Sequence, residues 1–83
     1  MFTRLKRITS FGTREEKAQT VEYIININQI VCAIECYNRL DDTLYTVLVM
    51  TTGEEIPVDR SYNKICEMIS ENNLMISENN LMI

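Results

Sequence analysis

The chain has 83 residues, of which 46% are hydrophobic and 24% are charged, and its formal net charge is −4. This length allows one domain at most, and this composition is that of a folded globular protein rather than a disordered one. No apolar run approaches the roughly 18 residues of a membrane-spanning helix and no apolar secretion signal opens the chain, so we expect a cytoplasmic protein without membrane contact.

Charge is distributed unevenly along the chain. Residues 1–17 carry a net charge of +3, whereas residues 18–83 carry −7. The acidic body disfavours general nucleic-acid binding, because phosphate contacts need a continuous cationic face. Arg4, Lys6 and Arg7 are candidate contacts for an anion or a nucleic acid, but such a run is also typical of a solvated terminus.

Residues 1–20 are predicted to form this basic arm, or a first strand over 2–9 followed by a loop. Thr13 and Glu16 have the spacing of a capping box. That spacing is compatible with a short helical turn over 14–20 and equally with a loop.

Residues 21–67 are predicted to form a β-rich core and the start of a helix. Alternating apolar residues indicate strands over 21–27, 30–37 and 44–51, and Gly53 provides a tight turn after the last of them. Residues 55–58 return as a short strand, expected to lie at a sheet edge or to end at Pro57, because Pro57 has no amide hydrogen. Asp59 or Ser61 is expected to cap the helix. The predicted fold is α+β: a small, largely antiparallel sheet of four or five strands with a C-terminal helix.

The chain ends in a tandem repeat. Residues 68–74 read MISENNL, residues 75–81 repeat the same seven letters, and Met82 and Ile83 follow. Seven residues is about two helical turns, so the second copy lengthens a helix without rotating its apolar stripe. We predict that residues 68–83 extend the helix; a helix that stops near Asn72 is the alternative, because Asn favours helix ends.

Residues of this helix follow the three-four spacing of a coiled-coil seam. A core this small is commonly completed by oligomerisation. We therefore expect a homo-oligomer, and its predicted interface consists of seam and flanking residues: Ile65, Met68, Ile69, Asn72, Met75, Ile76, Asn79, Met82 and Ile83.

The sequence offers little catalytic chemistry. It has no histidine, two glycines and three cysteines without a CxxC pair, so we expect no enzyme, no metal site and no cofactor. The cysteines are expected to be reduced and buried. Tyr37 and Tyr45 flank one connection and are expected to form a cross-strand pair, with packing as the simpler role and contact with a ligand or partner as the alternative.

The stretch from Tyr23 to Ile69, together with short motifs that begin at Thr3, resembles the small motility proteins of the FlbD/SwrD type. The matching motifs are Thr3-Arg4-Leu5, Ile27-Asn28 to Val31, Ile34-Glu35, Asp42-Thr43, Thr52-Gly53, Val58 and Ser61-Tyr62. The insert around residues 9–20 and the repeated tail depart from that family. The resemblance implies a non-enzymatic module that serves a larger assembly.

We therefore predict a protein-interaction or assembly module that associates with itself and with another protein. One alternative is a small, phage-type regulator that blocks a nucleic-acid enzyme or sequesters a nucleotide-like ligand. Another is nucleic-acid contact through the basic residues of the N-terminal segment.

Overall fold

The structure, a computed structural model, describes the backbone of residues 1–81 and the side chains of residues 1–73. It contains five strands, β1 (Phe2–Ser10), β2 (Gln19–Asn26), β3 (Ile30–Asn38), β4 (Thr43–Met50) and β5 (Glu55–Val58), followed by one helix, α1 (Tyr62–Leu81). The strands form an antiparallel sheet in the order β2-β1-β5-β4-β3. The predicted α+β class, with its five-stranded antiparallel sheet and C-terminal helix, is confirmed.

Local chemistry explains the hairpin between β4 and β5. β4 alternates between fully buried positions, such as Leu48, and partly exposed ones, such as Val47. Gly53 has φ +88°, and its amide donates to the Met50 carbonyl at 2.8 Å. Glycine adopts this left-handed backbone without a steric penalty, which fixes the turn.

The core lies between the sheet and the helix. We call the side of the sheet that carries Leu5, Leu48 and Ile56 the inner face, and the opposite side the outer face. Ile65 of α1 is fully buried against the inner face, and six strand residues complete the same cluster: Leu5, Ile25, Leu48, Met50, Ile56 and Val58. Burying a side chain of this size contributes about 1.5–3 kcal/mol, so this cluster is the main source of stability.

Two contacts fix the start of α1. The Lys64 amide donates to Ser61 Oγ at 3.3 Å. Of the two caps predicted from the sequence, Asp59 and Ser61, Ser61 is therefore the one that caps the helix. The Thr46 hydroxyl, which is fully buried, donates to the Arg60 carbonyl at 2.8 Å. This bond ties the residue before the cap to the central part of the sheet.

The N-terminal segment is a strand rather than a solvated arm. β1 pairs with β2 from Phe2 to Ser10, and Leu5 and Ile8 are buried. The loop that follows contains the predicted cap at Thr13, whose hydroxyl oxygen accepts the Glu16 amide at 3.0 Å, but residues 14–16 form bends and no helix begins before β2. The cap therefore closes a turn and starts no helix.

β5 does not lie at a sheet edge, so the edge position expected from Pro57 is wrong, whereas the strand does end at Val58, one residue after Pro57. β5 pairs with β4 over four residues and also with β1. Among the described residues, however, the β1–β5 ladder amounts to Arg7 opposite Val58, supported by the Asp59 amide on the Lys6 carbonyl at 2.9 Å. A proline is tolerated in this central strand because the adjoining ladder is so short.

The helix carries the chain beyond the sheet. The Cα trace measures 55 × 20 × 20 Å and its radius of gyration is 14.5 Å, against about 12 Å for a compact chain of this length. The helix backbone continues past Asn72 to Leu81, a distance of about 14 Å at 1.5 Å per residue. The alternative of a helix that stops near Asn72 is therefore wrong.

Candidate interaction surfaces

The outer face of the sheet carries an exposed apolar groove. Antiparallel partners point to the same side, and the register places Ile34 beside Val47 and Val47 beside Pro57. Phe11, from the loop after β1, lies at one end of this row with its ring centroid 4.9 Å from that of Tyr45. The groove has a volume of about 380 Å³ and is lined by Phe11, Ile34, Cys36, Tyr45, Val47, Glu55 and Pro57.

This groove was not predicted from the sequence. The signal was present, because β4 carries apolar residues at both odd and even positions, Val47 and Val49 as well as Leu48 and Met50. A strand with two apolar faces needs a cover on each side. The helix covers the inner face, and the part of the chain that the structure describes leaves Ile34 46% exposed on the outer one.

β3 is an edge strand, since it stands at one end of the sheet order. Its side chains are unusually open for a strand: Val31 is 63% exposed and Tyr37 is 53% exposed. Glu35 is the strand's one charged residue, and the strand contains no lysine, arginine or proline. Natural edge strands commonly carry such residues to prevent pairing with another chain.

Tyr37 and Tyr45 do not form the predicted cross-strand pair. Tyr37 lies opposite Leu44 and Tyr45 lies opposite Cys36, so the two rings point to different faces. Tyr37 instead donates a hydrogen bond to Asp42 Oδ1. Burial raises the pKa of Tyr45, and the neighbouring Cys36 adds to this rise.

The first copy of the repeat packs on its own sheet. Asn72 is 3% exposed, and its side-chain amide donates to Asn28 Oδ1 at 2.7 Å. Met68 and Ile69 are partly buried against the core cluster. Ile65 and Asn72, both predicted interface residues, therefore make their contacts within one chain, and their burial leaves little surface for another copy.

The rest of the predicted interface lies outside the described side chains. Met75, Ile76 and Asn79 belong to the helix backbone that the structure describes, but their side chains do not, and Met82 and Ile83 fall beyond the described residues. Their part in self-association stays a prediction.

The basic residues of β1 do not form a common patch. Arg4 and Lys6 line a shallow cavity together with Arg60, but Glu22 and Asp59 line it too. Arg7 points to the other side, 5.2 Å from the Tyr23 ring centroid and 3.7 Å from Glu54 Oε2. Contact of these residues with a nucleic acid stays a prediction.

The thiols are free, but not all are buried. Cys32 is exposed, whereas Cys36 and Cys66 are partly buried. The hydroxyl of Tyr62 shares a hydrogen bond with Cys66, which raises the pKa of Tyr62, and the nearby Glu35 carboxylate acts in the same direction. Within the described residues, no three metal-binding side chains come together, and no helix is long and apolar enough to cross a bilayer.

Comparison with protein-family models, with curated proteins and with solved structures gives no match for this chain. The resemblance to the FlbD/SwrD type therefore stays a prediction.

Proposed function

We propose that this protein is a non-enzymatic, cytoplasmic interaction module that associates with itself through α1 and its duplicated tail and presents the assembled surface to another protein. The observation that carries the proposal is the contact of the first heptad with the sheet. In that contact Met68, Ile69 and Asn72 present one stripe of the helix, and this stripe binds an apolar surface with one amide hydrogen bond.

The second heptad repeats this binding segment. Met75, Ile76 and Asn79 have the same sequence surroundings as Met68, Ile69 and Asn72. A shift of seven residues rotates a straight helix by only about 20°, so the second copy offers nearly the same stripe about 10 Å further along the axis. A segment that binds an apolar surface within its own chain has the composition to bind one on a second chain.

The small size of the hydrophobic core also supports self-association. The cluster that holds the helix to the sheet contains seven buried residues. Small domains whose cores are this limited are commonly stabilised by a partner subunit. Self-association through the helix would add apolar burial that the monomer lacks.

Analytical ultracentrifugation tests the proposal. The full chain is compared with a chain that ends at Leu74, which keeps the whole helix–sheet contact described above. We expect the dissociation constant of the truncated chain to be at least tenfold higher. Equal dissociation constants, or monomers in both cases, would overturn the proposed role of the tail.

A second variant separates tail chemistry from tail length. Replacing Met75 and Ile76 by Gln keeps the helix length and removes the apolar side chains. Gln is a good helix former, so the helical content measured by circular dichroism should be unchanged. We expect this variant to match the truncated chain; association as strong as that of the full chain would contradict the proposal.

A further inference from the structure

We propose that β3 is also a self-pairing strand: β3 of one copy forms an antiparallel ladder with β3 of a second copy about a two-fold axis through Ile34. The inference deepens the proposed self-association by naming a second contact in the same dimer, and it does not depend on the tail. Two five-stranded sheets would become one sheet of ten strands.

The edge is open to such pairing. Glu35 is the one charged residue among its nine, and Val31, Ile34 and Tyr37 are exposed. The strand has a register shift between Ile30 and Cys32, near its first end, so its centre is regular. Bulges and charges protect natural edges; no register shift lies between Cys32 and Cys36, and the one charge in that segment is Glu35.

Symmetry limits the possible registers. A two-fold axis perpendicular to the sheet keeps like faces together, and opposed residues of an antiparallel ladder point to the same face. The axis must therefore lie midway between one residue and the symmetry mate of that residue, and each possible register is named by that residue. An axis through Glu35 would set two carboxylates directly opposite each other, which is destabilising. An axis through Ala33 would pair only three residues of the regular segment that begins at Cys32.

The axis through Ile34 avoids both faults. Ile34 then lies opposite its own symmetry mate, and Glu35 lies opposite Ala33 of the second copy. On the outer face, Cys32 lies opposite Cys36 of the second copy. The pairing joins the apolar outer grooves of the two copies, because Ile34 and Cys36 line that groove. A second copy is thus the occupant that pairs with this edge without opposing two charges and that joins the two grooves.

The cysteines report the register. Within one strand Cys32 and Cys36 are four residues apart, or about 13 Å, which is too far for a disulfide. Opposed residues of an antiparallel ladder have Cα atoms about 4.5–5.5 Å apart, which a disulfide can bridge. Diamide accepts the two electrons and two protons that two thiols release when they join.

The cross-linking experiment uses two single-cysteine chains. The Cys36→Ser, Cys66→Ser variant keeps Cys32, and the Cys32→Ser, Cys66→Ser variant keeps Cys36. We expect diamide to produce several-fold more covalent dimer from the mixture than from either variant alone. A mixture that cross-links no better than the single variants would overturn the Ile34 register, and strong dimer formation by the Cys36 chain alone would point to an axis at Cys36 instead.

A charge substitution tests the edge without cysteine chemistry. Ile34→Arg places a guanidinium opposite its symmetry mate, whereas the matched control Ile24→Arg changes an exposed residue on the opposite edge strand, β2. In the chain that ends at Leu74, we expect Ile34→Arg to raise the dissociation constant at least tenfold and Ile24→Arg to change it less than twofold. Equal effects would overturn the proposal. Because the tail is absent, failure of the edge contact and failure of the tail contact are distinguishable.

Discussion

The hydrogen bond between Asn72 and Asn28 provides a sharp test of how α1 is held. It joins two amides 44 positions apart in the sequence, with the Asn72 side chain 3% exposed and the bond at 2.7 Å. A hydrogen bond of this kind contributes about 0.5–1.5 kcal/mol. Replacing Asn72 by Ala also improves helix propensity by about 0.6 kcal/mol, which offsets part of the loss.

The expected coupling energy follows from these terms. Asn28 is exposed, so its amide oxygen regains water when Asn72 is replaced, whereas replacing Asn28 leaves the buried Asn72 amide without this partner. The helix-propensity term cancels in a double-mutant cycle of Asn72→Ala and Asn28→Ala. The cycle should therefore return about 1–3 kcal/mol of coupling free energy.

The repeat supplies a matched control. Asn79 occupies the same position of the second heptad and has the same neighbours in sequence, so Asn79→Ala changes helix propensity to the same degree. Urea denaturation of the two cycles at one protein concentration gives both couplings. A coupling of Asn28 with Asn72 below about 0.3 kcal/mol, or an equal coupling with Asn79, would refute the reasoning.

Three further predictions concern the core, the first loop and alkaline pH. Ile65→Ala empties a fully buried position and should lower the free energy of unfolding by about 2–5 kcal/mol in urea denaturation; a loss below 1 kcal/mol would contradict this packing. Gly12→Ala would overlap Asp41 Oδ2 and place its Cβ 2.9 Å from the Ala18 amide nitrogen, so we expect a loss of about 1–3 kcal/mol by the same assay. Burial raises the pKa of Tyr45 above its ordinary value of 10.0, so its neutral form is favoured by folding. Its contribution to stability is therefore complete below pH 10 and is lost as the pH rises through the raised pKa. Titration at 295 nm should show a delayed ionisation that Tyr45→Phe removes, and an unchanged titration would count against the partial burial of Tyr45.

Local features of the fold could be predicted from the sequence. The alternation in β4, the turn at Gly53 and the cap at Ser61 each depend on a few neighbouring residues, and the structure shows all three. Such signals are short in range, so they do not depend on how the sheet assembles.

Features that depend on distant pairing could not be predicted. Pro57 lies in a central strand because β1 returns beside β5, a contact that no local pattern encodes. Tyr37 and Tyr45 point to different faces because the register of β3 against β4 places each beside another residue. A shift of one residue in register changes the face of every side chain, so flanking positions alone do not decide a cross-strand pair.

The two candidate surfaces, the helical stripe and the β3 edge, also differ in whether a local sequence pattern predicts them. The helical stripe was predicted because its three-four spacing is a local pattern, but its first turns bind the sheet of the same chain through Ile65 and Asn72. The edge at β3 depends on strand order, and strand order emerges only from the fold. The two apolar faces of β4 indicated that a second face needed a cover, but the exposure of Ile34 depends on strand order and was not predicted.

Sedimentation equilibrium of the unmodified full-length chain, over about three decades of micromolar concentration, tests self-association most directly. We predict a reversible rise from the mass of one chain to the mass of two, as expected for a two-fold dimer. A single-chain mass at every concentration would contradict both the tail contact and the β3 edge contact.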